Sequence, residues 1–137
     1  MSRNGIEGKT VLIAGGRNNL GGLLAREYAK AGARAVAIHY NSDAARAEAD
    51  ATVAAIRALG AKAVAFQADL TSAAAMEKLF ADTVAAVGRP DIAVNTVGMV
   101  IKKPIAEVTE AEFDQSSAVN VKSAFFFLKE AGRNLND

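Results

Sequence analysis

The sequence predicts an α/β protein: one open, parallel, doubly wound sheet with helices on both faces. Three features carry that expectation. Short apolar runs alternate with longer segments of helical period, and glycines recur at even spacing at Gly32, Gly60 and Gly88, each just ahead of a run. The runs themselves lack strict in-and-out alternation, as strands buried on both faces do. A leucine-rich solenoid would also repeat at about this spacing, but the L-x-x-L-x-L signature is missing and the helical segments are too long. The order is therefore βαβαβαβα with right-handed crossovers.

The strands are expected at Thr10–Ala14, Ala35–Tyr40, Ala63–Gln67 and Ile92–Asn95, all rich in Val, Ile and Ala. Between the first two, Leu20, Leu24, Tyr28 and Ala31 recur at helical spacing and predict an apolar stripe. The Ala-rich segment from Ser42 to Leu59 predicts a helix with Ala49, Val53 and Ile56 inward, ending at Gly60. Met76, Leu79, Phe80, Thr83, Val84 and Val87 make the clearest stripe. A last helix should begin at Thr109-Glu110-Ala111-Glu112, where Thr and Glu three residues apart can cap each other's backbone. Phe113, Ser117, Val121, Ala124 and Leu128 would share one of its sides. The three glycines supply the left-handed residue that closes a helix.

Composition narrows the function classes. With 51% hydrophobic and 23% charged residues, the 137-residue chain suits one three-layer domain over residues 1–137. Sixteen basic and fifteen acidic residues leave a net charge of +1, so no electrostatic reason exists to expect nucleic acid or an anionic membrane. The absence of cysteine excludes disulfides, thiolate metal sites and cysteine nucleophiles. Met1 to Thr10 lacks the apolar core of a secretion signal, and no apolar run reaches the roughly 18 residues of a membrane span. A cytoplasmic location is the expectation.

The chemistry-bearing segment is Ala14-Gly15-Gly16-Arg17-Asn18-Asn19-Leu20-Gly21-Gly22, between the first strand and the first helix. A glycine-rich strand–helix turn presents backbone N–H groups and a helix N-terminus to an anion such as a pyrophosphate. The spacing follows T-G-x-x-x-G-x-G, and the segment resembles the cofactor loop of the short-chain dehydrogenase/reductase family. The family's Thr is Ala14 here, and its middle glycine is Asn19, which tolerates a left-handed backbone. Three further matches follow in order: Asp69-Leu70 after the third strand, Asn95-Thr96-Val97-Gly98 after the fourth, and Asn120 in the last helix.

The resemblance implies a Rossmann-like fold, with Gly15, Arg17, Asn18, Asn19, Leu20 and Gly21 around a dinucleotide. It places Asp69 and Leu70 near the adenine, and Asn95, Val97 and Gly98 along the cleft. Asn120 becomes the catalytic-site residue supporting a proton relay. The implied reaction is hydride transfer to a small carbonyl or from an alcohol, with the 3-oxoacyl reductase branch as one candidate, by a dimer or tetramer assembled through the last helix. The family's Ser and Tyr-x-x-x-Lys are absent: neither Tyr28 nor Tyr40 has Lys four residues on. The sheet is thus expected to be incomplete at its C-terminal end, and this chain alone to be catalytically silent.

The end of the second strand reads the cofactor. An acid there accepts from the adenosine ribose of NAD and repels a 2′-phosphate. This chain has His39-Tyr40-Asn41-Ser42, neutral and hydrogen-bonding, with Asp43 the first acid, and Arg17 nearby. NADP(H) is favoured over NAD(H). His39 reads as an ordinary strand-end residue rather than a metal ligand. Gly8-Lys9-Thr10 is not a P-loop, because Arg3 occupies the needed glycine position and a strand comes next. Lys102-Lys103-Pro104 reads as a solvated loop, and Phe125-Phe126-Phe127 as core plus subunit contact. Two alternatives stay open. A methyltransferase using S-adenosylmethionine shares the glycine loop but wants the missing acid, and a non-catalytic nucleotide-binding regulator needs no chemistry.

Overall fold

Residues 5–137 are described by the computed structural model, and the polar start at Met1–Thr10 lies partly outside them. Strands β1 (Thr10–Ala14), β2 (Ala35–Tyr40), β3 (Lys62–Gln67) and β4 (Ile92–Asn95) fall where the apolar runs predict, β3 beginning one residue early. They form a single parallel sheet in the order β3-β2-β1-β4. Helices α1 (Asn19–Lys30), α2 (Arg46–Ala58) and α3 (Ala73–Val87) connect them, and α4 (Glu110–Ser117) and α5 (Ser123–Asn134) come after β4.

The central strands explain why the runs do not alternate: β1 and β2 are buried along their whole length. Val11, Ile13, Val36 and Ile38 pack on one face against Ala25 and Ala29 of α1 and Ala49, Val53 and Ile56 of α2. Leu12, Ala14, Ala35 and Ala37 pack on the other against Met76, Leu79 and Phe80 of α3 and Phe127 and Ala131 of α5. The result is the three-layer, Rossmann-like arrangement the sequence predicts. Gly32, Gly60 and Gly88 are left-handed, with φ of 95°, 93° and 91°. The capping box is present, with Glu112 N–H donating to Thr109 Oγ1 (3.2 Å) and Thr109 N–H to Glu112 Oε2 (2.9 Å).

Two helical faces differ from expectation. In α1 the buried residues are Gly21, Gly22, Ala25 and Ala29, while Leu24 and Tyr28 are half-buried and Leu20 is 61% exposed. The helix lies so close to the strand ends that only its smallest residues fit beneath it, and the large ones are pushed sideways. In the last helix, Phe113, Val121 and Leu128 are exposed, Ser117 and Ala124 half-buried, and the inward side is Ser123, Phe127, Glu130 and Ala131. A π-helical turn at Ala118–Lys122 separates α4 from α5. Each added residue rotates the downstream helix by about 100°, so one 3.6-residue period cannot be carried across it.

Phe80 is fully buried and meets Phe127 edge-to-face, with centroids 5.4 Å apart. Phe80→Ala should cost about 3–5 kcal/mol in urea unfolding, the usual loss for an aromatic truncated in a core. A loss under about 1 kcal/mol would contradict the packing of α3 on α5.

Candidate functional site

The chain runs outward through β1, β2 and β3 and returns to β4 on the other side of β1. The carboxyl ends of β1 and β4 therefore flank the reversal point of the strand order, where open α/β sheets form a crevice. A cleft of about 250 Å³ lies there, lined by Gly15, Arg17, Asn18, Asn19, Leu20, Gly21, His39, Tyr40, Asn41, Thr96, Val97 and Gly98. Most residues singled out in the sequence thus meet in one place.

Backbone geometry dictates the loop's composition. Gly15 has φ +81°, and Asn19 holds the left-handed conformation at φ 49°. A Cβ at Gly21 would stand 2.2 Å from the Gly15 carbonyl oxygen, and one at Gly16 would stand 2.8 Å from the Ile38 side chain. Asn18, the N-cap of α1, makes no side-chain capping bond, so the first turn keeps its amides unspent beside the cleft. The amides of Gly15 and Gly16 are not free for an anion: they donate to His39 Nδ1 and to the His39 carbonyl, each at 3.1 Å. The anion-facing set narrows to the residues after them.

Arg17 lies 3.6 Å from Glu48 of α2, and the Asn18 amide also donates to that carboxylate. Thr52 donates to the Arg17 carbonyl at 2.5 Å. Beside the main cleft is a smaller one of about 110 Å³, lined by His39, Asn41, Asp69, Leu70, Thr71, Val97, Gln115, Val119 and Ser123. Asp69 takes the Thr71 hydroxyl (2.6 Å) and N–H (3.0 Å), which hold its carboxyl below the usual range. His39 is buried, and desolvation pushes its ring below the ordinary value against the Ala68 hydrogen bond and the Asp69 charge.

Three expected residues stand apart from both cavities. Ser42 is exposed at the start of the short 3-10 turn Asp43–Ala45. The Asn95 side chain accepts from Val97 N–H at 3.0 Å and shapes the turn after β4. The Asn120 side chain, on the π turn, accepts from Met99 N–H (2.8 Å) and donates to Met99 O (2.9 Å) and Ser116 Oγ (3.1 Å). Thr96, not singled out although it sits inside the quoted motif, lines the cleft and donates to Ala14 O at 2.8 Å. Glu48, Gln115, Val119 and Ser123 carry no local signal and arrive through the fold. Lys102, Lys103 and Pro104 are exposed, as expected of a solvated loop, and Lys103 pairs with Glu112 at 2.7 Å. Of the Phe triplet, Phe127 is buried and Phe125 is 64% exposed. No helix among the described residues is long and apolar enough to cross a membrane.

Comparison with known proteins agrees with this fold. The sequence model of the family described as short chain dehydrogenase matches residues 9–137. Elsinochrome reductase 1 of Elsinoe fawcettii is 38% identical over 99% of this chain and 50% of its own length. The short chain dehydrogenase/reductase nsrJ of Aspergillus novofumigatus is 39% identical over 96% and 49%. Among solved structures, a protein from Burkholderia cenocepacia described as a dehydrogenase and solved with NADP bound is 63% identical. It superposes with a TM-score of 0.94 over 96% of this chain and 50% of its own. The chain thus spans about half the length of the relatives it matches. None of these matches favours a methyltransferase.

Asn120→Ala would remove the hydrogen bonds to Met99 and Ser116. The expected loss is about 1–3 kcal/mol, from roughly 1 kcal/mol per bond, with faster hydrogen exchange at the Met99 amide. Unchanged exchange there would contradict this bridging role.

Proposed function

The chain belongs to the short-chain dehydrogenase/reductase family, and on that premise we propose that it forms the cofactor-binding portion of an NADP(H)-dependent oxidoreductase. The reaction is hydride transfer between the cofactor and a small carbonyl or alcohol; when bound, the nicotinamide supplies or accepts the hydride. The observation that carries this reading is the cradle at Gly15 and Gly21, where a Cβ at Gly21 would collide with the Gly15 carbonyl. Such an approach leaves room only for backbone, and it sets the uncapped turn of α1 beside the cleft.

In this reading the amides of residues 17–21 hold the pyrophosphate, as helix N-termini do. Asp69 and Leu70 border the adenine, and Val97 and Gly98 border the nicotinamide half. The preference for NADP(H) rests on Arg17 and on the absence of a carboxylate at the end of β2, where His39, Tyr40 and Asn41 line the cleft. Glu48 does not reverse it. The Arg17–Glu48 pair is exposed and 3.6 Å apart, the kind of contact that contributes at most about 1 kcal/mol. A 2′-phosphate, with more charge and more acceptors, competes well for the same guanidinium. Asn120 keeps the proposed relay position, anchoring the segment after β4 through Met99. The exposed Phe113, Val121, Phe125 and Leu128 form the proposed contact between copies, a dimer or larger by light scattering and a monomer if this is wrong.

Calorimetric titration tests the cofactor reading. NADPH should bind about tenfold or more tightly than NADH, the factor worth about 1.4 kcal/mol. Gly21→Val should lose both while keeping its circular dichroism. Equal affinity for the two cofactors overturns the NADP(H) preference, and unchanged affinity in a folded Gly21→Val overturns the site.

A further inference from the structure

His39 is the chain's one histidine, near the end of β2, and it is 2% exposed. Both ring nitrogens are engaged. Nδ1 accepts from Gly15 N–H at 3.1 Å, and Nε2 lies 2.8 Å from the Ala68 carbonyl oxygen. An amide N–H only donates and a carbonyl only accepts, so these partners demand one protonation state: neutral, with the proton on Nε2. The ring therefore ties together the ends of β1, β2 and β3 beneath the cleft it lines. The His39 carbonyl takes the next amide, that of Gly16. Two consecutive glycine amides thus turn toward one residue and away from the cleft.

We infer that His39 is a positioning residue: its neutral ring clamps the Gly15 amide and so sets the shape of the glycine loop, and dinucleotide affinity falls when the ring gains a proton. An imidazolium would direct an N–H at the Gly15 N–H, with no acceptor left between them. The inference rests on the proposed dinucleotide site. The charged groups around the ring do not supply that acceptor. Asp69, just past β3, favours the imidazolium, and Lys122 of the π turn acts on Asp69. Arg17, from the loop side, is engaged by Glu48. Burial outweighs these influences and pushes the ring below 6.5. The unfolded chain takes a proton near 6.5 while the folded ring stays neutral to lower pH. The ring's contribution to stability is thus present above 6.5 and lost as pH falls toward the lowered value.

The test combines two readouts on this chain. Nitrogen-15 NMR of the free protein should show His39 protonated at Nε2 and bare at Nδ1, persisting below pH 6.5. NADPH affinity, followed by fluorescence across the same pH range, should fall as the ring protonates. His39→Asn keeps an acceptor near the Nδ1 position and cannot titrate. It should bind more tightly than a variant with no acceptor there and lose that acid-side fall. His39→Leu, with no acceptor, should bind about tenfold or more weakly, the factor of one lost hydrogen bond. A ring protonated at Nδ1, one that titrates at its ordinary value, or a His39→Leu variant with parental affinity overturns the proposal. If the parent fails to bind NADPH while the ring shows the stated tautomer, the cofactor reading falls and the affinity claim with it. The tautomer, read without cofactor, tells that failure from a failure of the clamp.

Discussion

Helix α1 begins against the carbonyl oxygen of Gly15, closer than any side chain permits, and the rest of the site depends on that approach. A Cβ at Gly21 would sit 2.2 Å from this oxygen and 2.8 Å from the Thr96 hydroxyl. Because it is absent, the helix can start directly over the ends of β1 and β4. Its buried positions must then be Gly22, Ala25 and Ala29, and Leu20 is left exposed at the mouth of the cleft. One missing side chain therefore fixes the helix's height above the sheet, the residues beneath it, and the aim of its first amides.

The sheet supplies the rigidity that such a close approach requires. β1 and β2 are buried on both faces and hydrogen-bonded on both edges, so the loop hangs from the two fully buried strands of the sheet. Polar ties add to this. Thr96 bonds Ala14 across the β1–β4 seam, Thr52 holds the Arg17 carbonyl from α2, and His39 joins three strand ends. No side-chain nitrogen or oxygen buried among the described residues lacks a partner, so holding the loop leaves no uncompensated polar group in the core. The exposed Arg17–Glu48 pair, 3.6 Å apart, is looser than these ties.

The strands were legible because doubly buried strands are written as unbroken Val, Ile and Ala runs, and a parallel sheet has few other ways to be written. The loop was legible because its glycines answer local demands, a positive φ at Gly15 and a collision at Gly21. The inward face of α1 was not, because hydrophobic periodicity points to large residues and this contact selects small ones. Nor was the face of the last helix, since the π turn at Ala118–Lys122 breaks the period without any glycine or proline to mark it. Glu48 and the partners of His39 come from elements remote in sequence. Single-sequence patterns do not register such pairings.

The central claim is that the cleft at the ends of β1 and β4 holds a dinucleotide on the first turn of α1. An amide NMR titration of the nitrogen-15-labelled chain with NADPH addresses it directly. Saturable shifts are predicted at residues 17–21, 39–41, 69–70 and 96–98, with the exposed face at Phe113, Val121 and Phe125 unmoved. Shifts centred on that face, or none at the glycine loop under saturating NADPH, would contradict it.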